Sequence, residues 1–114
     1  MSAPHRLSSA DFRVLRPYKR IAGEFFTLSL APHAAGLKWT CVVSKKVSPK
    51  AVARNAVKRR CRSVLQSQLK RMKEPIALVF YAKRAAAQAP IADVKKDLET
   101  LLGRAGLRGT MRGT

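Results

Sequence analysis

A two-layer α+β sandwich with elements in the order αβββαβα is the fold class this sequence predicts. Two kinds of pattern predict it. Segments 24–31 and 37–44 alternate apolar and polar residues, as a sheet with one buried face requires, and segment 76–82 is apolar almost throughout. Segments 49–73 and 91–102 instead repeat their apolar residues at helical spacing. The chain has 114 residues, 46% of them hydrophobic, which suits one domain with a core of its own. That domain is expected to span residues 1–103, followed by a basic, Gly-punctuated flexible tail over residues 104–114.

Taken in order, residues 1–7 carry no pattern. Ser8 or Ser9 can cap a short helix whose first turn holds Asp11, well placed against the helix dipole. Phe12 and Leu15 share one side of it, and Pro17 ends it. A first strand from Lys19 to Ala22 precedes Gly23, a turn or bulge signal. In the second strand Phe26, Leu28 and Leu30 alternate with Phe25, Thr27 and Ser29. A loop over residues 32–36 leads to the third, with Leu37, Trp39, Cys41 and Val43 on one face. Lys38, Thr40, Val42 and Ser44 point the other way. The fourth strand, residues 76–82, reads as an interior one because its apolar run is nearly unbroken. The last helix aligns Ile91, Val94, Leu98, Leu101 and Leu102, and Gly103 is its expected end.

The central helix concentrates the charge. Arg54, Lys58 and Arg62 recur every fourth residue, and Asn55 and Arg59 repeat the step one position over, so all five share one face. Ala53, Val57, Cys61 and Val64 lie on roughly the opposite side, with Leu65 at the border. Pro49 is a natural entry signal, and no Gly or Pro follows until Pro75. The net charge is +18, from 24 Lys and Arg against 6 acids, and no acid falls between Glu24 and Glu74. A charged helix face is ordinarily a solvated one, but this one carries no acid at all. Like charges at i, i+4 cost about 0.2–0.5 kcal/mol each, a cost that an anionic partner offsets. Nucleic acid is favoured over an anionic membrane surface as that partner. No apolar run approaches the ~18 residues of a membrane span and the N-terminus lacks a signal-peptide core, so a cytoplasmic location is expected. Cys41 and Cys61 are too few for a disulfide framework and read as small buried hydrophobes in a reducing compartment.

Signatures of a self-sufficient enzyme are missing. His5 and His33 have no ligand spacing to each other or to the cysteines. Asp93 and Asp97 stand i, i+4 on the last helix and could share a cation, but Lys95 and Lys96 lie between them, so a solvated face is expected. A two-metal nuclease needs a cluster of carboxylates, and no Gly-rich phosphate loop is present either. The chain reads as a binder of RNA or DNA.

Four segments, in this order, resemble one family, the protein subunit of bacterial ribonuclease P. They are Asp11-Phe12 in the short first helix, VVSKK at residues 42–46, ARNAVKRRCR at residues 53–62, and IALVFYAKR at residues 76–84 with an amphipathic helix after it. The resemblance covers residues 7–102. Three positions depart from the family pattern. Ala56 replaces the second Arg of its Arg-Asn-Arg helix, Arg60 stands at a usually apolar position where it can snorkel or add a compensating contact, and Arg16 stands where relatives often carry a second aromatic.

The resemblance implies a ribosomal-protein-S5-domain-2-like fold with a left-handed β–α–β crossover around the central helix, against the usual right-handed rule. It also implies a ribonucleoprotein endonuclease that removes the 5′ leader of precursor tRNA. The RNA subunit, bound 1:1, performs the Mg²⁺-dependent hydrolysis, and the protein supplies neither a catalytic residue nor a metal ligand. Ser44, Lys45, Lys46, Arg54, Asn55, Lys58, Arg59 and Arg62 would then contact the RNA subunit. Phe12, Arg16 and Lys83, with residues of the sheet face, would bind the single-stranded leader by stacking, which tolerates any sequence. Phe12 alone would otherwise read as a core contact. A ribosomal or RNA-chaperone protein could use the same basic helix, but the Arg-Asn-x-x-Lys-Arg pattern directly after VSKK favours ribonuclease P. An independent protein nuclease is disfavoured by the missing carboxylates, and no membrane partner is expected.

Overall fold

Four strands form one sheet in the spatial order β1-β2-β4-β3, with β1 at Lys19–Ala22, β2 at Phe26–Pro32, β3 at Lys38–Val42 and β4 at Ile76–Ala82. The structure is a computed structural model and describes residues 16–33, 36–70 and 74–106. The expected first helix, with Asp11, Phe12 and Leu15, and residues 107–114 of the expected tail lie outside the described residues. β1 and β4 both pair antiparallel with β2, while β3 runs parallel to β4, with Trp39 opposite Leu78 and Cys41 opposite Phe80. β4 therefore has a partner on each edge, the interior position that its unbroken apolar run predicts. A parallel pair needs a long crossover, supplied here by helix α1, Ala51–Gln68. A 3₁₀ turn at Arg84–Gln88 then leads to helix α2, Ile91–Arg104.

Alternation puts Phe26, Leu28, Leu30, Trp39, Leu78 and Phe80 on one face of the sheet, and both helices cover that face. α1 contributes Val57, Cys61, Val64 and Leu65 to the same core; α2 contributes Val94, Leu98, Leu101 and Leu102. Each fully buried Leu or Phe is worth about 1.5–3 kcal/mol, so this layer is what holds the helices in place. The buried arc of α1 is rotated slightly from the one expected: Leu65 is fully buried and Ala53 only half-buried. Ile91, expected on the apolar stripe of α2, is 50% exposed. Between the helices, Gln68 Nε2 donates to Glu99 Oε2 at 2.7 Å. On the opposite sheet face, Ala31, Ala77 and Val79 form a second, smaller apolar cluster with Val42 and Tyr81 against it.

Three expectations are corrected. α1 ends at Gln68, short of Lys73, with the buried Leu69 at its C-cap. α2 runs through Gly103, and the residue that ends it is Gly106, whose φ of 78° suits a residue without a Cβ. The sulfur atoms of Cys41 and Cys61 are joined in a disulfide, with Cα atoms 6.9 Å apart, so neither is a free buried thiol. The cause is the packing of α1 over β3, which brings the inward-facing cysteine of each element to the other.

Candidate nucleic-acid interface

The loop from β3 into α1 is anchored by its apolar residues and shows its cations. Val43 and Val47 are buried, while Ser44, Lys45 and Lys46 between them are exposed. The Lys46 N–H donates to Ser44 Oγ at 3.2 Å and the Val47 N–H to the Ser44 carbonyl at 3.0 Å, closing a tight turn. A second such bond, from the Lys50 N–H to Ser48 Oγ at 3.2 Å, sets the start of the helix. The first turn of α1 holds no acid, and its N-cap residue Lys50 makes no side-chain cap bond. The partial positive charge of the helix N-terminus therefore adds to that of the lysines.

Further along α1, Asn55 and Arg59 are exposed, and Arg54, Lys58 and Arg62 are half-buried along their stems. Arg54 folds back: its Nη1 donates to the Ser48 carbonyl at 2.9 Å and the Pro49 carbonyl at 3.0 Å. It thus fastens the loop to the helix, a role the sequence did not reveal, with Nε and Nη2 left for a partner. The side chains of Lys45, Lys46, Lys58, Arg59 and Arg62 make no hydrogen bond or ion pair among the described residues. Arg60 is half-buried, and its Nη1 is buried with no hydrogen-bond partner among the described residues.

The far end of the sheet is arranged differently. Asp97, expected on a solvated face, is 8% exposed and aims its carboxylate into the β1–β2 turn. Oδ1 accepts the Glu24 N–H at 2.8 Å, and Oδ2 accepts those of Phe25 and Phe26 at 3.0 Å each. A Cβ on Gly23 would lie 2.8 and 2.9 Å from these oxygens, so the turn needs glycine for close approach. Lys83 Nζ donates to the Gly23 carbonyl at 2.6 Å, and Arg104 Nη1 to that of Ala22 at 3.1 Å. One clue to Asp97 was present in the sequence: Val94, Asp97 and Leu101 share a helical stripe. Of the residues expected at the leader, Lys83 is thus bound into this turn, Arg16 is exposed, and Phe12 lies outside the described residues. The sequence reading also passed over two tyrosines. Tyr18 is 62% exposed beside β1, and the Arg20 guanidinium carbon lies 5.4 Å from the centre of the Tyr81 ring.

Among the described residues, no group of three or more His, Cys, Asp or Glu side chains could hold a metal ion. Nor is any helix among them long and apolar enough to cross a membrane.

Fold and site together define a small basic α+β domain with an acid-free helix face and an exposed basic loop feeding it. The sequence model of the family described as ribonuclease P matches residues 1–106. The chain is 32% identical over 110 residues to the ribonuclease P protein component of Acidothermus cellulolyticus, covering 93% of this chain and 91% of that one. It is 39% identical over 97 residues to the corresponding Thermus oshimai protein, with 84% of this chain matched to 60% of the longer relative. The solved ribonuclease P protein of Staphylococcus aureus shares the fold, with a TM-score of 0.74 at 23% identity over 93% of this chain and 99% of that one. The chain belongs to the ribonuclease P protein family, the protein components of a tRNA-processing enzyme.

Proposed function

We propose that the chain binds the catalytic RNA subunit of ribonuclease P, one protein to one RNA, and helps the particle hold precursor tRNA by its 5′ leader. The observation that carries this reading is the acid-free face of α1, whose Lys58, Arg59 and Arg62 find no partner among the described residues. With Ser44, Lys45, Lys46, Arg54 and Asn55 they form the proposed RNA-subunit contact. Arginine forks suit phosphate oxygens, and the serine and asparagine can hydrogen-bond phosphate or sugar. Phe12, with Arg16 and Lys83, is the proposed leader contact; Lys83 would add charge there while holding the β1–β2 turn.

In this reading the RNA carries out endonucleolytic hydrolysis with Mg²⁺ held by RNA and substrate phosphates. The described protein residues do not fit a resident Mg²⁺, because no ligand group converges and Asp97, their one buried carboxylate, is taken up by three N–H donors. The protein's part is electrostatic: cations between two polyanions lower the repulsion that opposes substrate docking. We place the particle in the cytoplasm, where the Cys41–Cys61 pair meets a reducing milieu. Reconstitution tests the proposal. The RNA subunit with the protein should release the leader at physiological Mg²⁺, and the protein alone should not. Cleavage by RNA-free protein would overturn the assignment of roles.

A further inference from the structure

The chain's two cysteines form one bond, between residues 20 apart in sequence, and it closes a ring over the connection from β3 to α1. All the residues proposed to contact the RNA subunit lie inside that ring except Arg62, which directly follows Cys61. Cys41 belongs to β3, an edge strand beside β4, and Cys61 stands about three turns into α1. Within the ring, the Val47 N–H to the Ser44 carbonyl and Arg54 Nη1 to the Ser48 and Pro49 carbonyls make the loop and the helix start one piece. That piece is fastened to the sheet by apolar contacts, Val47, Val57 and Val64 among them, and by the disulfide. Apolar contact has no preferred direction, so packing alone leaves α1 freer to turn or slide over the sheet than a covalent bond does. The two cysteines differ in access: Cys61 is fully buried, whereas Cys41 is half-buried on its edge strand. In a secreted domain such a bond needs no role beyond stability. Here it belongs to a chain proposed for a reducing compartment and encloses the segment proposed for binding.

We infer that Cys41 and Cys61 form a thiol–disulfide switch on the RNA-subunit contact, whose linked form binds the RNA subunit more tightly than its dithiol form; the inference rests on the proposed function above. The partner in the exchange is a small thiol. Its thiolate attacks Sγ of Cys41, the more accessible residue. The Cys41–Cys61 bond breaks, and the Cys61 sulfur leaves as a thiolate that takes a proton from water. A second thiolate attacks the outer sulfur of the mixed disulfide, the two small thiols leave joined as their own disulfide, and the Cys41 sulfur is protonated in turn. Two electrons thus pass from the small thiols to the protein, and the reverse sequence, with a small disulfide as oxidant, closes the ring again. The dithiol form keeps its fold through the apolar layer beneath α1, but loop and helix no longer stand in one fixed register with β3. Binding must then restore that register, and the ordering that the bond provided in advance lowers the apparent affinity.

The test measures the affinity of the full chain for the transcribed RNA subunit in buffers of reduced and of oxidised glutathione, well below the melting temperature of either form. Passing from the linked to the dithiol form should weaken binding about fivefold, the low end of coupling between two equilibria. Cys41→Ala/Cys61→Ala should bind like the dithiol form and ignore the buffer. Cys41→Ala, which leaves the buried Cys61 in place, should do the same and serves if the double variant folds poorly. Coupling is reciprocal, so saturating RNA subunit should make the wild-type pair about fivefold harder to reduce, a shift of roughly 20 mV for a two-electron couple, read by thiol alkylation. Equal affinity of the two wild-type forms would overturn the inference even where their denaturant midpoints differ, as would a response of the variants equal to that of wild type. If neither form binds the RNA subunit, the ribonuclease P reading falls and this inference with it. Binding that ignores the state of the sulfurs removes this inference alone.

Discussion

At the β1–β2 turn, charged side chains meet partners within the chain: Asp97 takes three backbone N–H groups, and Lys83 and Arg104 hold the carbonyls of Gly23 and Ala22. On α1, Lys58, Arg59 and Arg62 meet none among the described residues, and only Arg54 turns back to its own loop. Both regions are polar and both edge the same core. The difference separates charges that hold the fold from charges that are proposed to meet a partner. Leaving a buried donor unpaired is costly, whereas an exposed cation loses little by waiting for its anion.

The sharpest way to break that contrast is to remove Asp97. Asp97→Ala strands three N–H donors at a little over 1 kcal/mol each, so about 4 kcal/mol of stability should go, with a melting temperature lower by roughly 15 °C. The salt dependence of RNA-subunit binding, measured where the variant is folded, should not change. An unaltered melting temperature would return Asp97 to the solvated surface.

The disulfide is the next test, because residues 41–61 carry most of the proposed RNA-subunit contact. Reduction should lower stability by up to about 3 kcal/mol, the loop-closure value for a ring of this size. Equal denaturant midpoints with and without reductant would mean that apolar packing alone holds α1 to β3. Smaller still is the expected effect of Phe12→Ala, a loss of roughly 1–3 kcal/mol in precursor affinity with mature tRNA unaffected. Equal losses on both RNAs with a lower melting temperature would make Phe12 a core residue. Smallest is Ala56→Arg, which should tighten RNA-subunit binding only severalfold, about the worth of one solvent-exposed ion pair. The same gain in an Arg60→Leu background would show that Arg60 compensates for nothing.

The sheet and α1 were legible because burial leaves a local period. Phe26, Leu28 and Leu30 alternate, and Val57, Cys61 and Val64 return every turn, so faces could be assigned before any contact was known. Asp97 was not legible because the groups it serves are 71 to 73 residues away, and sequence spacing says nothing of what another element brings opposite. The Cys41–Cys61 bond was missed for a related reason: both were read correctly as inward, but not as facing each other. Gly103 and Gly106 were equally able to end a helix, and only the backbone shows which takes the positive φ. Arg54 looked like its neighbours on the polar face, and its carbonyl partners belong to a loop whose path the sequence leaves open.

The claim that α1 keeps its charges for RNA is tested most directly by salt-titrated affinity for the RNA subunit, comparing Lys58→Ala/Arg59→Ala with Lys83→Met/Arg104→Met. The α1 pair should flatten the log–log slope by about 1.4–1.8, two phosphate contacts' worth, and change stability by no more than about 1 kcal/mol. The turn pair should lower the melting temperature and leave the slope as in wild type. A wild-type slope for the α1 pair would contradict the account, since those cations would then be merely solvated.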